Sequence, residues 1–374
     1  MIVKNEEANL RRCLSIMAHE GFIDQLVVVD TGSTDNSVDI ARSFGAEVYF
    51  HPWRDDFSWA RNKSLEYAKG QWILIIDADE EMIGTTNDLM NFKRYLMFSK
   101  YDAVTLHLEN IKDGRVISKS SNPRVFRNEK VHYEEIVHNK PIVESGLPAY
   151  RYGEIIMLRH YGYDLSPEKM EEKKRRTLGL LKKRIEIDDE DYDAYFYLAQ
   201  TYGFFGDIPN AIRMGEKYVD ARPKISRFNQ KIYVLLIEAY TKTKRFNQAM
   251  EMIKEGASEY PYDIDIAYTY MQFSQVIASA TYIYDSAEKY IFCYEKFDTE
   301  DAIKERGTRF VFHYSEEKYI LALSLAAANF IHKGLSRLND LKAKVGENKE
   351  YEGLLRSVND ALLNIVNSMD KPTK

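Results

Sequence analysis

Hydrophobic residues in the first hundred positions form short runs, and the segments between these runs have a helical period. The runs predict strands at residues 1–3, 25–30, 47–50 and 72–77. The intervening segments predict helices near residues 7–17, 34–44 and 57–69. Strands that alternate with helices are typical of a parallel sheet with crossover helices, so the sequence predicts an α/β N-terminal domain.

The fourth predicted strand ends at a pair of carboxylates. Residues 72–76 form an apolar run without polar alternation, which predicts a parallel strand buried on both faces, and Asp77 and Asp79 follow it. Ligands of open α/β sheets bind beyond the carboxyl ends of the strands, where Asn5 and Asp30 should also lie. Two carboxylates one residue apart can hold Mg²⁺ or Mn²⁺, and the ion would neutralise a diphosphate. Asp-x-Asp also occurs by chance, so the triplet alone does not establish a metal site.

The strand-to-helix junctions contain residues that favour turns and helix starts. Residues 31–35 supply a tight turn followed by capping side chains, and Ser58 is predicted to cap the third helix. Glu80 and Glu81 continue the acidic run after Asp79. We interpret them as charges at a helix N-terminus, where the helix dipole favours acids.

The pattern changes after residue 100. Short strand-like pieces are predicted at residues 103–111, 115–119, 124–127 and 155–160. Turn residues are found at 112–114 and 122–123. We interpret these pieces as a mixed extension of the sheet that forms the acceptor side of a cleft.

From residue 166 onward the pattern is helical, with Ser166 as a cap and Pro167 in the first turn. Two stretches that lie 38 residues apart then share their pattern of large and small residues. The first copy contains Tyr195, Leu198, Ala199, Tyr202, Ala211, Tyr218 and Pro223. The second copy contains Tyr233, Leu236, Ile237, Tyr240, Ala249, Gly256 and Pro261.

These offsets match the tetratricopeptide pattern of large and small residues across a helix pair. In a fainter third copy, Ala287 is in register with Ala211 and Ala249. The period exceeds the usual one of about 34 residues, so longer turns are expected, for instance at residues 224–229. A helical bundle whose aromatic stripe is simply core is the alternative interpretation.

Length, charge and cysteine content narrow the class of protein. The 374 residues suffice for two domains, which we place at residues 1–164 and 165–374. The 52 basic and 58 acidic residues give a net charge of −6, which favours neither a nucleic acid nor a membrane surface as partner. Cys13 and Cys293 have no metal or redox spacing. Without a signal-peptide core or a run of about 20 apolar residues, the cytoplasm is the expected location.

Four stretches of the first 160 residues resemble the family 2 glycosyltransferases, which have the GT-A fold, a Rossmann-like nucleotide-sugar domain. They are Val3–Glu7, Val29–Asp35, Phe57–Asn62 and Ile76–Glu80. Their order and spacing are far more specific than any one of them. The resemblance implies a UDP-sugar as donor substrate and Mg²⁺ or Mn²⁺ as cofactor. Only three residues precede Lys4, so the first strand is shorter than the family's; either upstream residues are missing or the sheet edge is trimmed.

The resemblance also implies roles for residues at the donor pocket. Asp30 takes the position that touches the uracil or ribose, and Asn5 and Glu6 line the same pocket. Asp30 could instead simply stabilise the turn that follows it. Arg61, on the helix before the Asp77 strand, would face the nucleotide, although an arginine on a helix is usually a solvated side chain.

Asp79 is the preferred residue for direct metal contact, with Asp77 holding the ribose or a metal-bound water. The metal acts as a Lewis acid on the leaving diphosphate. His160 matches the place where many GT-A folds supply a third metal ligand, and His138 is its rival. An ordinary hydrogen-bonded histidine is the alternative interpretation of His160.

Glu134 and Glu135 are the candidate general bases. In GT-A enzymes an acidic residue on the acceptor side deprotonates the nucleophile, and a carboxylate there also offsets the oxocarbenium charge of the transition state. Glu134 is slightly preferred, because consecutive strand residues point to opposite faces. A charge pair on a surface strand is the alternative interpretation.

A family 2 domain followed by tetratricopeptide-like helices resembles the sublancin-type S-glycosyltransferases, which modify cysteine or serine of bacteriocin peptides. Segments 56–62, 134–138 and 160–163 carry this resemblance. It implies an inverting, metal-dependent transfer of a hexose to a peptide, with the repeats and their tyrosines holding the acceptor or a second subunit as a homodimer. The alternatives are a cell-envelope saccharide or a protein such as flagellin as acceptor, and an inactive scaffold in which only the repeats act.

Overall fold

The computed structural model describes residues 1–145, 150–151, 156–162, 166–222, 225, 229–306, 313–329, 331–347, 351–353 and 355–360. The chain forms two compact units, Met1–Ile187 and Asp188–Lys374. Outside the described residues lie the predicted domain boundary at 164 and 165, residues 155 and 163, Pro223 and most of the predicted turn at 224–229.

The N-terminal unit begins with a parallel three-stranded sheet. Its elements are β1 (Ile2–Val3), α1 (Glu7–Cys13) with a 3₁₀ turn at Leu14–Ala18, β2 (Val27–Asp30), α2 (Ser37–Ser43) and β3 (Glu47–Phe50). The strand order is β1-β2-β3, and Val3 is paired with Asp30, which is paired with Phe50. Because parallel strands end at the same edge, the loops after β1 and β2 lie side by side. The prediction of a parallel α/β start is confirmed.

A mixed sheet follows in the same unit. Its elements and neighbours are α3 (Phe57–Glu66), β4 (Trp72–Leu74), β5 (Glu80–Ile83), α4 (Thr86–Phe98), β6 (Ala103–Lys112), β7 (Arg115–Arg127), β8 (Val131–Glu134), β9 (Lys140–Val143), β10 (Tyr150–Arg151) and β11 (Met157–His160). The strand order is β4-β7-β6-β11-β5, with β10 beside β6 and a separate β8–β9 hairpin. Strand β11 runs parallel to β6 and antiparallel to β5, so the prediction of a mixed extension is confirmed.

The apolar run before Asp77 is buried on both faces, as predicted, but its pairing differs from the prediction. Ile76 packs in the core shared with β1 and α1, whereas Ile73 and Ile75 pack with Phe126 and Tyr133 on the other face. Strand β4 pairs antiparallel with β7, not in a parallel ladder. A strand that is buried on both faces needs apolar residues whichever way its partner runs. The apolar run therefore predicted the burial, but it could not predict the direction of the partner strand.

Two predictions about helix N-termini are wrong, although α3 itself begins at Phe57 as predicted. Glu80 and Glu81 lie in strand β5, which pairs with β11, and the next helix begins at Thr86 with Thr85 and Asp88 forming a capping box. At α3 the capping side chain is Asp56, which accepts a 2.8 Å hydrogen bond from the Trp59 amide.

Ser58, the predicted cap of α3, has a long-range partner instead. Its hydroxyl donates to the carbonyl oxygen of Glu135 at 2.5 Å, and the Phe57 amide donates to the carbonyl of Ile136. The start of α3 is thereby tied to the chain after β8. A partner 77 residues away has no local signal in the sequence.

The strand-like pieces at 115–119 and 124–127 form one strand, β7. Its pairing with β6 shifts register at two places, after Val104 and after Asn110. At the turn between the two strands, Asp113 and Gly114 both have positive φ, 50° and 71°. That backbone is typical of a two-residue hairpin turn, so the predicted turn at 112–114 is confirmed.

Helix α5 (Pro167–Ile187) completes the N-terminal unit. Ser166 precedes it and accepts a hydrogen bond from the Lys169 amide through its hydroxyl at 3.4 Å, so the predicted cap and first-turn proline are confirmed. Within the described residues no helix of either unit is long and apolar enough to cross a membrane.

The C-terminal unit is helical where the structure describes it. Its helices are α6 (Tyr192–Phe204), α7 (Ile208–Asp220), α8 (Lys231–Lys242), α9 (Phe246–Glu259), α10 (Ile264–Val276), α11 (Ala280–Glu295), α12 (Glu300–Arg306), α13 (Glu316–Asn329) and α14 (Ile331–Glu347). Helix α6 packs on α7, α8 on α9, and α10 on α11. These successive helix pairs are what the predicted repeat requires.

The residues that define the repeat are core residues. In the first copy Leu198, Ala199 and Tyr218 are buried, as are their counterparts Leu236, Ile237 and Gly256 in the second copy. Ala287, the residue assigned to the third copy, is also buried. The residues of the repeat are therefore those that pack between paired helices.

Gly215 of α7 lies in close contact with α8. A Cβ atom at Gly215 would be 2.8 Å from Leu236 Cδ2 and 3.2 Å from Leu236 Cγ. Gly215→Ala should therefore lower the free energy of unfolding of the helical unit by about 1–3 kcal/mol, because the cost of overpacking exceeds the gain in helix propensity. Urea unfolding followed by far-ultraviolet circular dichroism measures this change.

Gly203→Ala is the matched control in the same unit. A Cβ atom at Gly203 would have its nearest neighbours at 3.9 Å, an ordinary contact distance. This substitution should leave the free energy of unfolding unchanged or raise it by up to about 1 kcal/mol. Equal effects of the two substitutions would show that α7 and α8 are not in close contact at Gly215.

Candidate functional site

The site is built around the turn Asp77–Glu80, which follows the apolar run. The Glu80 amide donates to the carbonyl of Asp77 at 3.0 Å and closes the turn. The Cys13 thiol lies 3.3 Å from the same carbonyl, and the Tyr161 amide donates to the carbonyl of Asp79 at 2.8 Å. A side chain of α1 and the amide that follows β11 thus contact the backbone carbonyls of the two aspartates and fix their positions.

Asp77 is held by two arginines. Arg61 Nη2 lies 2.6 Å from Asp77 Oδ1, and Arg124 Nη1 lies 3.5 Å from Asp77 Oδ2. Burial disfavours the charge of Asp77, but the guanidinium groups of Arg61 and Arg124 outweigh it and hold the pKa of this carboxyl well below its usual range. Asp77 is therefore ionised, and both of its oxygens face a guanidinium group.

Glu80 is the fourth charged residue of this cluster. Its side chain is fully buried, lies 2.5 Å from Arg124 Nη2 and accepts a 2.9 Å hydrogen bond from the Asp77 amide. Burial raises the pKa of Glu80 to about 7, although Arg124 acts in the opposite direction. Arg124 has no role in the sequence prediction, because only the antiparallel pairing of β7 with β4 brings it here.

Asp79 faces His160. The distance from His160 Nε2 to Asp79 Oδ2 is 3.2 Å, and the two side chains remain 17% and 25% exposed. His160 Nδ1 lies 2.8 Å from Asn110 Oδ1. Strand register explains this grouping, because His160 of β11 is paired with Asn110 of β6 on one side and with Glu80 of β5 on the other.

These contacts leave two acceptors facing each other. Asn110 Oδ1 accepts the Nδ1 proton, so Nε2 of a neutral His160 is an acceptor directed at the Asp79 carboxylate. Such a pair is stable only with a proton or a metal cation between the two atoms. Metal-bound histidines commonly donate their other ring proton to an oxygen acceptor, as His160 does to Asn110.

Gly162 lies in close contact with this pair, and only a residue without a Cβ atom fits there. A Cβ atom at Gly162 would lie 2.4 Å from both Asp79 Oδ2 and His160 Nε2. Carboxylate oxygen and imidazole nitrogen are both suitable ligands for Mn²⁺, and the carboxylate also suits Mg²⁺. Within the described residues no group of three or more His, Cys, Asp or Glu is gathered for a metal. Asp79 and His160 therefore fit as two protein ligands of an ion whose other ligands would be substrate and water.

His138, the alternative ligand, lies elsewhere in the unit. It follows the β8 strand with φ at 53°, and burial together with the nearby charges of Arg184 and Lys140 lowers its pKa to about 4. The structure brings His160 to Asp79, and it does not bring His138 there.

Asn5 and Asp30 connect the loops at the carboxyl edge of the parallel sheet. Asp30 Oδ1 accepts hydrogen bonds from the amides of Gly32 and Ser33 at 3.0 and 3.1 Å. Asn5, with φ at 56°, accepts a 2.7 Å hydrogen bond from the Thr34 amide. These contacts match the alternative interpretation, in which Asp30 stabilises its turn; a role in nucleotide binding stays a prediction.

Glu6 and helix α5 bring further charges to Asp79. Burial raises the pKa of Glu6, while its hydrogen bond from Asn9 lowers it, and the charge of Asp79 also raises it. Lys173 of α5 donates to the carbonyl of Gly162 at 3.0 Å, and burial lowers its pKa. The sequence prediction assigned no role to α5; its one signal was the basic run that begins at Lys173.

Comparisons with known proteins identify relatives of the N-terminal unit. The family model described as Glycosyl transferase family 2 matches residues 1–146. The N-terminal unit carries a family 2 glycosyltransferase domain. The SPbeta prophage-derived glycosyltransferase SunS of Bacillus subtilis (strain 168) is 26% identical over 278 residues, which are 72% of this chain and 64% of SunS.

Two further proteins are similar to this chain over about half of its length or more. A TPR repeat-containing protein of Synechococcus elongatus is 32% identical over 255 residues, 64% of this chain and 60% of that protein. The crystal structure of MamA aligns with 54% of this chain and 95% of its own, at 16% identity and a TM-score of 0.31. The chain thus spans between 60% and 64% of the length of these two curated relatives.

In the family 2 domain, the two candidate bases have different surroundings. Glu135, with φ at 71°, lies beyond the end of β8, so the two glutamates are not successive residues of a strand as predicted. Its two oxygens face Arg184 at 2.5 Å and Lys140 at 2.7 Å. Glu134 is 61% exposed and lies 3.1 Å from His132. Of the two, Glu134 has the carboxylate that solvent or a substrate can reach.

The position of β8 relates these residues to the charge cluster. Tyr133 is buried, and the Arg61 guanidinium lies 5.5 Å from the centre of its ring. Burial alternates along β8, so Glu134 is on the face opposite to Tyr133. The structure therefore places Arg61, Asp77, Asp79 and His160 together, and it does not place Glu134 or Glu135 against them.

Glu135 and Arg184 form a nearly buried ion pair, with Arg184 only 8% exposed. Glu135→Gln should lower the free energy of unfolding of the N-terminal unit by about 2–4 kcal/mol, because it leaves the buried Arg184 charge without its carboxylate. Thermal and urea unfolding of the purified variant measure this loss.

Glu134→Gln is the matched control. Its carboxylate is mostly exposed and its neighbour is a histidine, so the free energy of unfolding should change by less than about 1 kcal/mol. A destabilisation by Glu134→Gln as large as that by Glu135→Gln would contradict the structural role assigned to the Arg184 pair.

Proposed function

We propose that this protein is an inverting, metal-dependent glycosyltransferase that moves a hexose from a UDP-sugar to a cysteine or serine side chain of a peptide. The observation that carries the proposal is the Asp79–His160 pair, in close contact with Gly162 and next to the arginine-bound Asp77. This pair would hold the cation where a nucleotide-sugar enzyme binds its donor.

On the donor side, Asp79 and His160 would hold Mg²⁺ or Mn²⁺. When bound, the ion supplies Lewis-acid stabilisation of the leaving diphosphate. Asp77, fixed by Arg61 and Arg124, would orient the ribose or a water of the ion. Asp30, Asn5 and Glu6 would form the base and ribose pocket.

In the transfer itself, the acceptor Sγ or Oγ atom attacks the anomeric carbon from the side opposite to the diphosphate. The new bond to the sulfur or oxygen forms as the bond from the anomeric carbon to the diphosphate oxygen breaks, and UDP takes up the electron pair. The acceptor proton passes to a carboxylate on the acceptor side. Of the two expected bases, Glu134 has the accessible carboxylate, because both oxygens of Glu135 face cations, and the acceptor would have to bring its nucleophile within reach of both Glu134 and the donor.

The peptide acceptor is supported by the domain arrangement. A family 2 domain followed by helix pairs is the arrangement that resembles the sublancin-type enzymes, and SunS is among the relatives. Tandem helix pairs commonly present an extended surface for peptides. The helical unit is therefore proposed to hold the acceptor or a second subunit.

The donor site is tested by calorimetric titration of UDP with and without Mn²⁺. Wild-type protein should bind UDP at least tenfold more tightly with Mn²⁺. Asp79→Ala should abolish the Mn²⁺ effect, because it removes one of the two protein ligands. Gly162→Ala should do the same by pushing the two ligands apart, because its Cβ atom would lie 2.4 Å from both ligand atoms.

Asp113→Asn is the matched control for these variants. Asp113 lies in the β6–β7 turn, and asparagine tolerates its positive φ. This variant should bind UDP like the wild type. Absence of UDP binding in the wild type with Mn²⁺ would overturn the proposed donor site.

The acceptor is tested by incubating the protein with a UDP-hexose, Mn²⁺ and either a cysteine-containing precursor peptide or an oligosaccharide. The proposal expects a gain of about 162 Da per hexose on the peptide, and loss of this product when the cysteine and serine residues of the peptide are replaced by alanine. A product on the oligosaccharide alone would replace the peptide by a saccharide acceptor.

A further inference from the structure

Lys173 contacts Gly162, the residue that packs against the candidate metal pair. Its ammonium donates a 3.0 Å hydrogen bond to the carbonyl of Gly162, the residue whose Cβ position would touch Asp79 and His160. The hydrogen bond, the bonds of Gly162 and the distance from its Cβ position together place the Lys173 nitrogen within about 10 Å of Asp79 Oδ2.

Lys173 belongs to a basic face of α5. Lys169, Lys173 and Arg176 are spaced four and three residues apart, so all three lie on one side of the helix. The charge of Glu6 interacts with those of Lys169 and Arg176, and the charge of Lys173 interacts with those of Asp79 and Glu6. This face is therefore turned toward the site.

Arg176 links the same face to the donor side of the cluster. Its guanidinium lies 5.5 Å from the centre of the Phe57 ring. Phe57 is the first residue of α3, the helix that carries Arg61. The basic face of α5 thus runs from Gly162 to the start of α3.

The charges of the site explain why such a face is needed. Arg61 and Arg124 already neutralise Asp77 and Glu80. As the sugar leaves, UDP gains one negative charge, and a divalent ion balances only part of the total. A fixed cation beside the ion stabilises that developing charge and costs no reorganisation.

We propose that Lys173, supported by Arg176, binds the diphosphate of the donor and stabilises the charge that develops on the leaving UDP. The proposal rests on the proposed function of the site and adds a binding residue from the helix that follows the family 2 domain. Lys173 is a binding residue for the leaving group, and the Gly162 carbonyl orients its ammonium.

The test compares Lys173→Gln, Lys173→Arg and Lys182→Gln by titration with UDP in the presence of Mn²⁺. Glutamine keeps a donor for the Gly162 carbonyl and removes the charge, so Lys173→Gln should weaken UDP binding about 10–100-fold. Lys173→Arg should stay within about threefold of the wild type, because it keeps the charge. Lys182, exposed on the same helix, is the matched control and should leave binding unchanged.

Uridine separates a diphosphate contact from a structural effect. Ligand-observed NMR should give the same uridine affinity in the wild type and in Lys173→Gln, since uridine has no phosphate. Equal losses of UDP and uridine binding would assign Lys173 a structural role and overturn the proposal. Arg176→Gln, at an exposed position, should weaken UDP binding about 3–10-fold if the basic face acts as proposed, whether or not Lys173→Gln folds.

The outcomes distinguish this inference from the proposed function. If the wild type binds UDP with Mn²⁺ and neither Lys173→Gln nor Arg176→Gln weakens it, the inference is overturned and the proposed function stands. If the wild type does not bind UDP, both fall together.

Discussion

The arrangement of the catalytic unit depends on the ion cluster of Asp77, Glu80, Arg61 and Arg124. Burying these charges costs desolvation energy, so the cluster is poor evidence for stability by itself. Its effect is positional: each carboxylate faces a guanidinium group, and the Asp77 amide is bound by Glu80. Because the first aspartate of the Asp-x-Asp turn is paired with arginines, the second is left to face His160, with Gly162 packed against both side chains.

The register of β5, β11 and β6 determines which side chains lie next to Asp79. Glu80, His160 and Asn110 are paired across β5, β11 and β6, and together they present the site. Their neighbours in the next row form separate contacts, with Arg159 lying 3.5 Å from Glu109 and the Tyr161 hydroxyl donating to Glu81 at 2.7 Å. A slip of one residue would exchange the two rows, so the site requires this register.

The sequence predicted that Asp77 and Asp79 follow a buried apolar run, because such a run is a short local pattern. It also predicted one sheet edge for Asp77, Asn5 and Asp30, whereas β4 belongs to the mixed sheet and β1 and β2 to the parallel sheet. Arg124 and the strand assignment of Glu80 could not be predicted, since both depend on the antiparallel pairing of distant segments. The basic face of α5 was present only as a helical spacing, and such spacing is usually a solvated surface. The surroundings of Glu135 depend on Arg184, 49 residues later in the chain.

The helical unit shows why a repeat can reveal a fold without identifying a ligand. Its tyrosines first suggested peptide contacts, yet those of the repeat are buried. Several hydroxyls are bound within the unit: in the second copy Tyr233 to Glu255 and Tyr240 to Glu216, and outside the repeat Tyr319 of α13 to Glu295. Arginines contact two of these groups, Arg222 at Tyr233 and Arg245 at Glu216. A buried tyrosine whose hydroxyl is satisfied supports helix packing. A peptide would therefore contact exposed side chains such as Phe204. The repeat pattern does not determine which residues occupy these exposed positions.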